Sequence, residues 1–306
     1  MPRLEGVFPV LPTPFTPGGE PDADALLRLA DWAIACGVDG IVFPGMASEV
    51  ETLKPEERAA LVARLGRHVG GRVPFIVGAS DPDPARAAAR VREGRAAGAV
   101  AAMVMAPQPN GADVARHVAF YAAVAEGGEG VALMLQNAPP PNGAGLGPAA
   151  VAEIARAVPA IRYVKEETMP CGQHVTRIRE AAADAVDAVF GGAGARYVVD
   201  ELARGAAGTM PALEIADVHV RLMAAWRRGD VAEARRLYNA SLPLLVFQMV
   251  FRVRATKEVL RRRGLLAHVG ARAAGPVLDA HDHAELRALL DDARAMFGRD
   301  HPDTSP

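Results

Sequence analysis

The sequence predicts an α/β chain folded as a (β/α)8 TIM barrel with a C-terminal helical extension. Three observations carry that prediction. Eight short apolar runs of β type alternate with seven longer alanine- and arginine-rich helical runs before residue 213. The strand runs are continuously apolar rather than alternating, as expected of strands covered by helices on one side and a filled core on the other. No G-x-G-x-x-G follows the first run, which weakens the alternative of an open doubly wound sheet. Beyond residue 213 the pattern is purely helical, so residues 1–213 are assigned to the barrel and 214–306 to an extension packed on it.

The elements follow in order. Strands are expected at "GVFPVL" (6–11), "GIVFPG" (40–45), "PFIVGA" (74–79), "AAMVMA" (101–106), "VALMLQ" (131–136), "IRYVKE" (161–166), "AVDAVFG" (185–191) and "AAGTMPA" (206–212). Helical patterns lie between them near 23–36, 55–69, 83–97, 113–126, 148–157, 172–182 and 195–204. The extension reads as helices over 214–228, 231–263 and 275–297, punctuated by "RRGD" (227–230) and "GARAAGP" (270–276). "RRR" at 261–263 reads as a solvated helix face, and "HDH" at 281–283 as a helix start with Asp282 near the cap.

Composition excludes several function classes. The chain has 306 residues, is 50% hydrophobic and carries a net charge of −2, with no basic block that would serve a nucleic acid. No apolar run approaches the ~20 residues of a membrane span. The first residues, "MPRLEGVFPVLPTPF", lack a signal-peptide pattern, and a cytoplasmic protein is expected. Cys36 and Cys171 read as reduced thiols, and the eight histidines form no metal motif.

In a barrel of this kind the chemistry lies at the C-terminal ends of the strands. The sixth strand run ends "IRYVKEET", and its lysine is unusual. The chain spends 31 arginines but only three lysines, Lys54, Lys165 and Lys257. Tyr163, Lys165 and Glu167 share one face of that strand. If the face is the barrel interior, Lys165 is a desolvated amine able to attack a carbonyl. The alternative is a buried ion pair with Glu166 or Glu167. Arginine is the more usual choice for such a pair, which favours the nucleophile. After the second strand, Gly45-Met46-Ala47-Ser48-Glu49 can aim backbone N–H groups at an anion, or be an ordinary turn. "FGGAGAR" after the seventh strand is glycine-rich, where many barrels hold phosphate.

These blocks, with "GVDGIVFPGMASEVETLKPEER", "LMLQNAPPPNG", "YVKEET", "RGAAGTMPALE" and "ATKEVLRRRGLL", resemble the dihydrodipicolinate synthase / N-acetylneuraminate lyase superfamily over nearly the whole chain. The resemblance implies that Lys165 forms a Schiff base with a 2-keto acid such as pyruvate, without a separate cofactor or metal. Where synthases and aldolases of that family carry "GTTGE", this chain has "GMASE". Where they carry "YNVP", it has Gln136-Asn137-Ala138-Pro139, so an amide replaces the proton-relaying tyrosine. The arginine that synthases place after that motif falls on Pro141, and their paired tyrosines on Gln108 and Pro109.

One branch of the superfamily, the 2-keto-3-deoxy sugar-acid dehydratases, resembles the chain in "FPVLPTPF", "ASE", "QNAP" and "KEET". That resemblance implies a dehydratase in which Lys165 is the nucleophile, Gln136 orients a water or hydroxyl, and Glu167 or Glu49 moves protons. Thr13, Gly45, Met46, Ala47, Ser48, Glu49, Gly191 and Met210 would line the substrate. A pyruvate-dependent aldolase, a dihydrodipicolinate synthase-like condensation and a non-catalytic keto-acid-binding barrel are the alternatives. The resemblance also implies a homo-oligomer, a tetramer or a dimer.

Overall fold

The computed structural model describes residues 4–297; Met1–Arg3 and the tail 298–306 of the predicted extension lie outside the described residues. The strands are β1 (Gly6–Val7), β2 (Ile41–Phe43), β3 (Phe75–Gly78), β4 (Ala101–Met105), β5 (Ala132–Asn137), β6 (Ile161–Glu166), β7 (Ala188–Gly191) and β8 (Gly208–Thr209). All pair in parallel, in the order β1-β8-β7-β6-β5-β4-β3-β2. Isolated bridges from Val10 to both Val42 and Ala212 close the sheet between its first and second strands. The result is the predicted (β/α)8 barrel.

The first and last strands are shorter than their apolar runs. Pro9 and Pro211 have no N–H to give to the ladder, so regular pairing stops beside them and resumes only as bridges. Inside the barrel, alternate residues build a dry plug that includes Phe8, Met103, Met134, Tyr163, Phe190 and Met210. The Phe8 and Phe190 rings meet edge to face at 5.5 Å.

Between the strands run α1 (Ala23–Ala35), α2 (Pro55–Val69), α3 (Pro84–Ala96), α4 (Val114–Gly127), α5 (Pro148–Ala157), α6 (Cys171–Ala181) and α7 (Val198–Ala203). Their starts are written in the sequence. Asp22, Asp83 and Asp113 cap α1, α3 and α4 by accepting backbone N–H groups, and proline opens α2, α3 and α5. Alanine keeps the inner faces small enough to lie close to the sheet.

The extension comprises α8 (Ala216–Arg227), α9 (Val231–Phe251), α10 (Val253–Arg262) and α11 (Ala280–Ala293). The single helix expected over 231–263 is broken. Arg252 takes φ 49°, ψ −126°, which no helix accommodates, and the chain restarts at Val253. "RRR" is a solvated face only in part, since Arg261 is exposed while the run turns inward at its end. Arg263 is buried, bound to Asp217 at 2.7 Å and stacked between Trp32 and Phe297. The α11 cap falls on Asp279, and Asp282 answers by accepting the Asp279 N–H at 2.9 Å. Among the described residues no helix is long and apolar enough to cross a membrane, and both cysteines are free.

Candidate active site

Strand alternation divides the end of β6. Tyr163 and Lys165 face the barrel interior, and Val164 and Glu166 face the helices. Lys165 stands level with Gln136 on β5 and Phe190 on β7, and is 4% exposed. Its Nζ lies 3.4 Å from Glu167 Oε1. The same oxygen accepts a hydrogen bond from Gln136 Nε2 at 2.6 Å, while Oε2 lies 3.4 Å from the Ala193 N–H that donates to it. Glu167 has room because residue 192 is glycine: a Cβ there would stand 2.4 Å from Glu167 Cγ. An amine, a carboxylate and an amide thus converge at the mouth of the barrel. The ion pair weighed against the nucleophile exists, but with Glu167 rather than Glu166, and at a loose distance.

Glu166 belongs to a second, outward row. The register aligns Asn137, Glu166, Gly191 and Thr209 across β5–β8, one residue beyond Gln136 and Lys165. Asn137 donates to Glu166 Oε2 at 2.8 Å and also clasps both backbone groups of Leu146. Thr168 donates to Glu166 through its N–H and its hydroxyl. Burial nevertheless pushes the Glu166 carboxyl up to about 7 against those donors. Glu201 of α7 fills the space left by the missing side chain of Gly191, where a Cβ would come 1.9 Å from Oε2. It is wholly buried with neither oxygen bonded, and burial raises it to about 8. Gly191 is therefore required from behind the strand, not by close approach of a substrate as its position in the sequence suggested.

Across the mouth, residues 45–49 form a tight turn. It closes by Ser48 N–H to Gly45 O (2.9 Å) and Glu49 N–H to Met46 O (3.2 Å), bonds that leave the Met46 and Ala47 N–H groups free for an anion. Three other predicted contacts are corrected. The Ser48 hydroxyl donates to Leu11 O at 2.5 Å and accepts the Gly45 N–H at 2.9 Å, so it holds the turn. Thr13 is fully buried and donates to Ser48 O at 2.6 Å. Glu49 cannot be the proton carrier: it is fully buried in an ion pair with Lys257 (2.5 Å) and accepts the Ala273 N–H at 2.6 Å. Met210 belongs to the apolar plug of the barrel interior.

A cavity of about 50 Å³, lined mainly by Pro44, Met46, Met103, Met105 and Gln136, opens on the β2–β5 side. A larger one of about 710 Å³ lies near Arg162, Asp187 and Ala207, at the opposite, N-terminal end of the strands and away from Lys165. Among the described residues no group of histidine, cysteine or acidic side chains is placed to hold a metal.

Residues 3–293 match the model of the dihydrodipicolinate synthetase family. The chain belongs to that family. Its members are lyases. The chain is 31% identical over 293 residues to the L-2-keto-3-deoxyarabonate dehydratase of Azospirillum brasilense, covering 94% of each. It is also 31% identical over 243 residues to the 4-hydroxy-tetrahydrodipicolinate synthase of Maridesulfovibrio salexigens, covering 79% of this chain and 82% of that one. Among solved structures, the dihydrodipicolinate synthase of Rhodopseudomonas palustris superposes with a TM-score of 0.87 at 26% identity, covering 95% of this chain and 98% of that one. A prophage protein of the same family from E. coli K12, in complex with pyruvate, gives 0.86 at 26% with the same coverage.

This family member holds features that the sequence reading missed. Lys257 carried the same signal as Lys165, a rare lysine in an arginine-rich chain, yet it is buried against Glu49 of the 45–49 turn. Its Nζ also donates to Gly270 O at 2.6 Å and lies 4.4 Å from the Phe15 ring. Arg272 covers the same ring and grips Glu57 at 2.7 and 2.8 Å. The extension therefore reaches over the rim of the barrel. Nothing local in the sequence marks Glu201, whose partner is the absence of a side chain.

Proposed function

We propose that the chain is a Schiff-base hydro-lyase that dehydrates a 2-keto-3-deoxy sugar acid, in the manner of an L-2-keto-3-deoxyarabonate dehydratase. The observation that carries this reading is the convergence of Lys165, Glu167 and Gln136. The Lys165 amine attacks the C2 carbonyl and loses water to give an iminium. The iminium acidifies C3–H, and Glu167, 3.4 Å from the amine, takes that proton. The resulting enamine expels the C4 hydroxyl, which leaves as water with the proton that Glu167 returns. Hydrolysis then frees the product and Lys165.

Gln136 holds Glu167 in place but cannot itself exchange a proton, which favours this route over an aldolase, where a base must take the C4 hydroxyl proton. The substrate carboxylate rests on the Met46 and Ala47 N–H groups. No cofactor other than the lysine imine is required. The likeness to the Azospirillum brasilense dehydratase, over 94% of each chain, supports the same choice. The protein is proposed to be a cytoplasmic homo-oligomer. The exposed side chains of Val246, Met249 and Val250 on α9 are the apolar surface that such an assembly would cover.

Borohydride added in the presence of pyruvate or a 2-keto-3-deoxy acid traps a mass adduct on Lys165 if the reading holds. Absence of an adduct with any 2-keto acid sinks it. Product analysis separates the chemistries: a product one water lighter than the substrate with its carbon chain intact marks the dehydratase, and pyruvate with an aldehyde marks the aldolase.

A further inference from the structure

We propose that Arg196 is a second anion-binding point of this site, and that the substrate is a 2-keto acid carrying a carboxylate at its far end as well. The proposal rests on the Schiff-base reading of Lys165 and narrows the 2-keto-3-deoxy sugar acid of that reading to one with a carboxylate at each end, in place of the terminal hydroxyl of a 2-keto-3-deoxyarabonate.

Arg196 follows the glycine turn that ends β7. Its Nη1 lies against Gly194, 2.9 Å from where a Cβ would stand. The side chain is half-buried, and its Nε is enclosed without an acceptor. Among the described residues it joins no ion pair, and no side chain is hydrogen-bonded to the guanidinium. The charged and titratable groups whose fields reach it are Tyr197 beside it, Glu167 just beyond β6, Glu214 after β8 and Arg252 at the α9–α10 break. Neither carboxyl is a dedicated partner. Glu167 is taken up by Lys165, Gln136 and the Ala193 N–H. Glu214 accepts the Thr256 hydroxyl at 3.0 Å, and burial raises its pKa, which weakens it as a counter-ion. Arg252 adds further positive charge. Half-burying an unpaired guanidinium costs free energy that an incoming anion restores.

The two possible directions for the substrate chain are unequal. With its first carboxylate on the turn at 45–49 and C2 at Lys165, the chain could extend towards the β2–β5 side or towards β7. The β2–β5 cavity is only about 50 Å³, and the polar side chains that line it are already engaged, Ser80 by the Met105 N–H and Gln136 by Glu167. A hydroxylated chain would find few free partners there. The β7 side offers the polar turn at 191–194, the Gln248 amide beside Gly194, and the Arg196 fork, which suits a carboxylate.

The test compares two acids of equal length, 2-ketoglutarate and 2-ketovalerate, by the concentration that half-saturates borohydride trapping on Lys165. Pyruvate trapping in the unaltered protein is the control for the Schiff base itself. The unaltered protein is expected to favour the diacid by about tenfold or more, the worth of one charged hydrogen-bonded pair. Arg196→Gln should bring the ratio of the two acids close to one, and Arg196→Lys should restore part of it. The ratio is read rather than the absolute rate. Equal half-saturation for the two acids in the unaltered protein, or a preference that survives Arg196→Gln, overturns the proposal while leaving the Schiff base intact. Failure to trap pyruvate as well overturns the Schiff-base reading instead.

Discussion

The side-chain amide of Gln136 donates to Glu167 Oε1 at 2.6 Å, and Lys165 Nζ approaches that same oxygen at 3.4 Å. One carboxylate oxygen is thus shared by the group that would form the imine and by the group standing where a tyrosine is usual. In the proposed mechanism the proton work falls to Glu167. Glu167→Gln is expected to keep borohydride trapping of pyruvate while slowing turnover by about 10²–10⁴-fold, the ordinary worth of a positioned acid–base. Equal loss of trapping and turnover would move Glu167 to binding or to lysine positioning.

Lys165→Arg keeps the positive charge beside Glu167 but removes the nucleophile. It is expected to melt near the temperature of the unaltered protein and to give no borohydride adduct. An adduct formed on this variant would place the imine on another lysine, of which the chain offers Lys54 and Lys257.

Lys257→Met leaves the wholly buried Glu49 without its counter-ion. The expected loss is about 3–5 kcal/mol in chemical denaturation, as for other broken buried pairs. Glu49→Gln with Lys257→Met should recover part of that loss, because no bare charge is then enclosed. Additive losses would show that the pair is not coupled.

Glu201 and Glu166 are raised, chiefly by burial, from 4.5 to about 8 and about 7. The folded chain therefore holds protons that the unfolded chain releases. That stability is fully present below about pH 4.5 and is lost as pH rises through about 7 to 8. Melting temperature is expected to fall between about pH 4.5 and about pH 8, and Glu201→Gln to flatten the fall. An identical slope in both proteins would mean that Glu201 does not hold its proton.

Gly191→Ala drives a methyl group into the Glu201 carboxyl and is expected to cost about 1–3 kcal/mol by overpacking. The cost should shrink in a Glu201→Ala background, where the space is open. A double-mutant cycle on folding stability measures the coupling.

The barrel was legible because its cues are local. Aspartate caps, prolines at helix starts and unbroken apolar runs each act within a few residues. The place of Lys165, buried at the end of β6, was legible for the same reason, a rare residue at a strand end. What escaped depends on contacts far apart in the chain. Glu49 looked like a site residue until Lys257, 208 positions later, accounted for its charge. Arg263 looked solvated until Trp32 and Phe297 closed over it. The break at Arg252 has neither a proline nor a glycine to announce it. Gly191 and Gly192 stood out only as part of a glycine-rich run, yet each makes room for a different glutamate on a different face of the sheet.

The clasp between Glu49 and Lys257 also bears on the order in which the molecule can be finished. A chain growing from its N-terminus has all eight strands by Thr209 and could close its barrel there. The turn at 45–49 would still wait for a lysine and a loop made after every strand. A barrel released at that stage would be closed, with the seat for its ligand unset. The last-made segment thus holds the first-made rim, and a chain cut short before Ala273 would leave Glu49 without one of the two partners that fix it, however well its strands had paired.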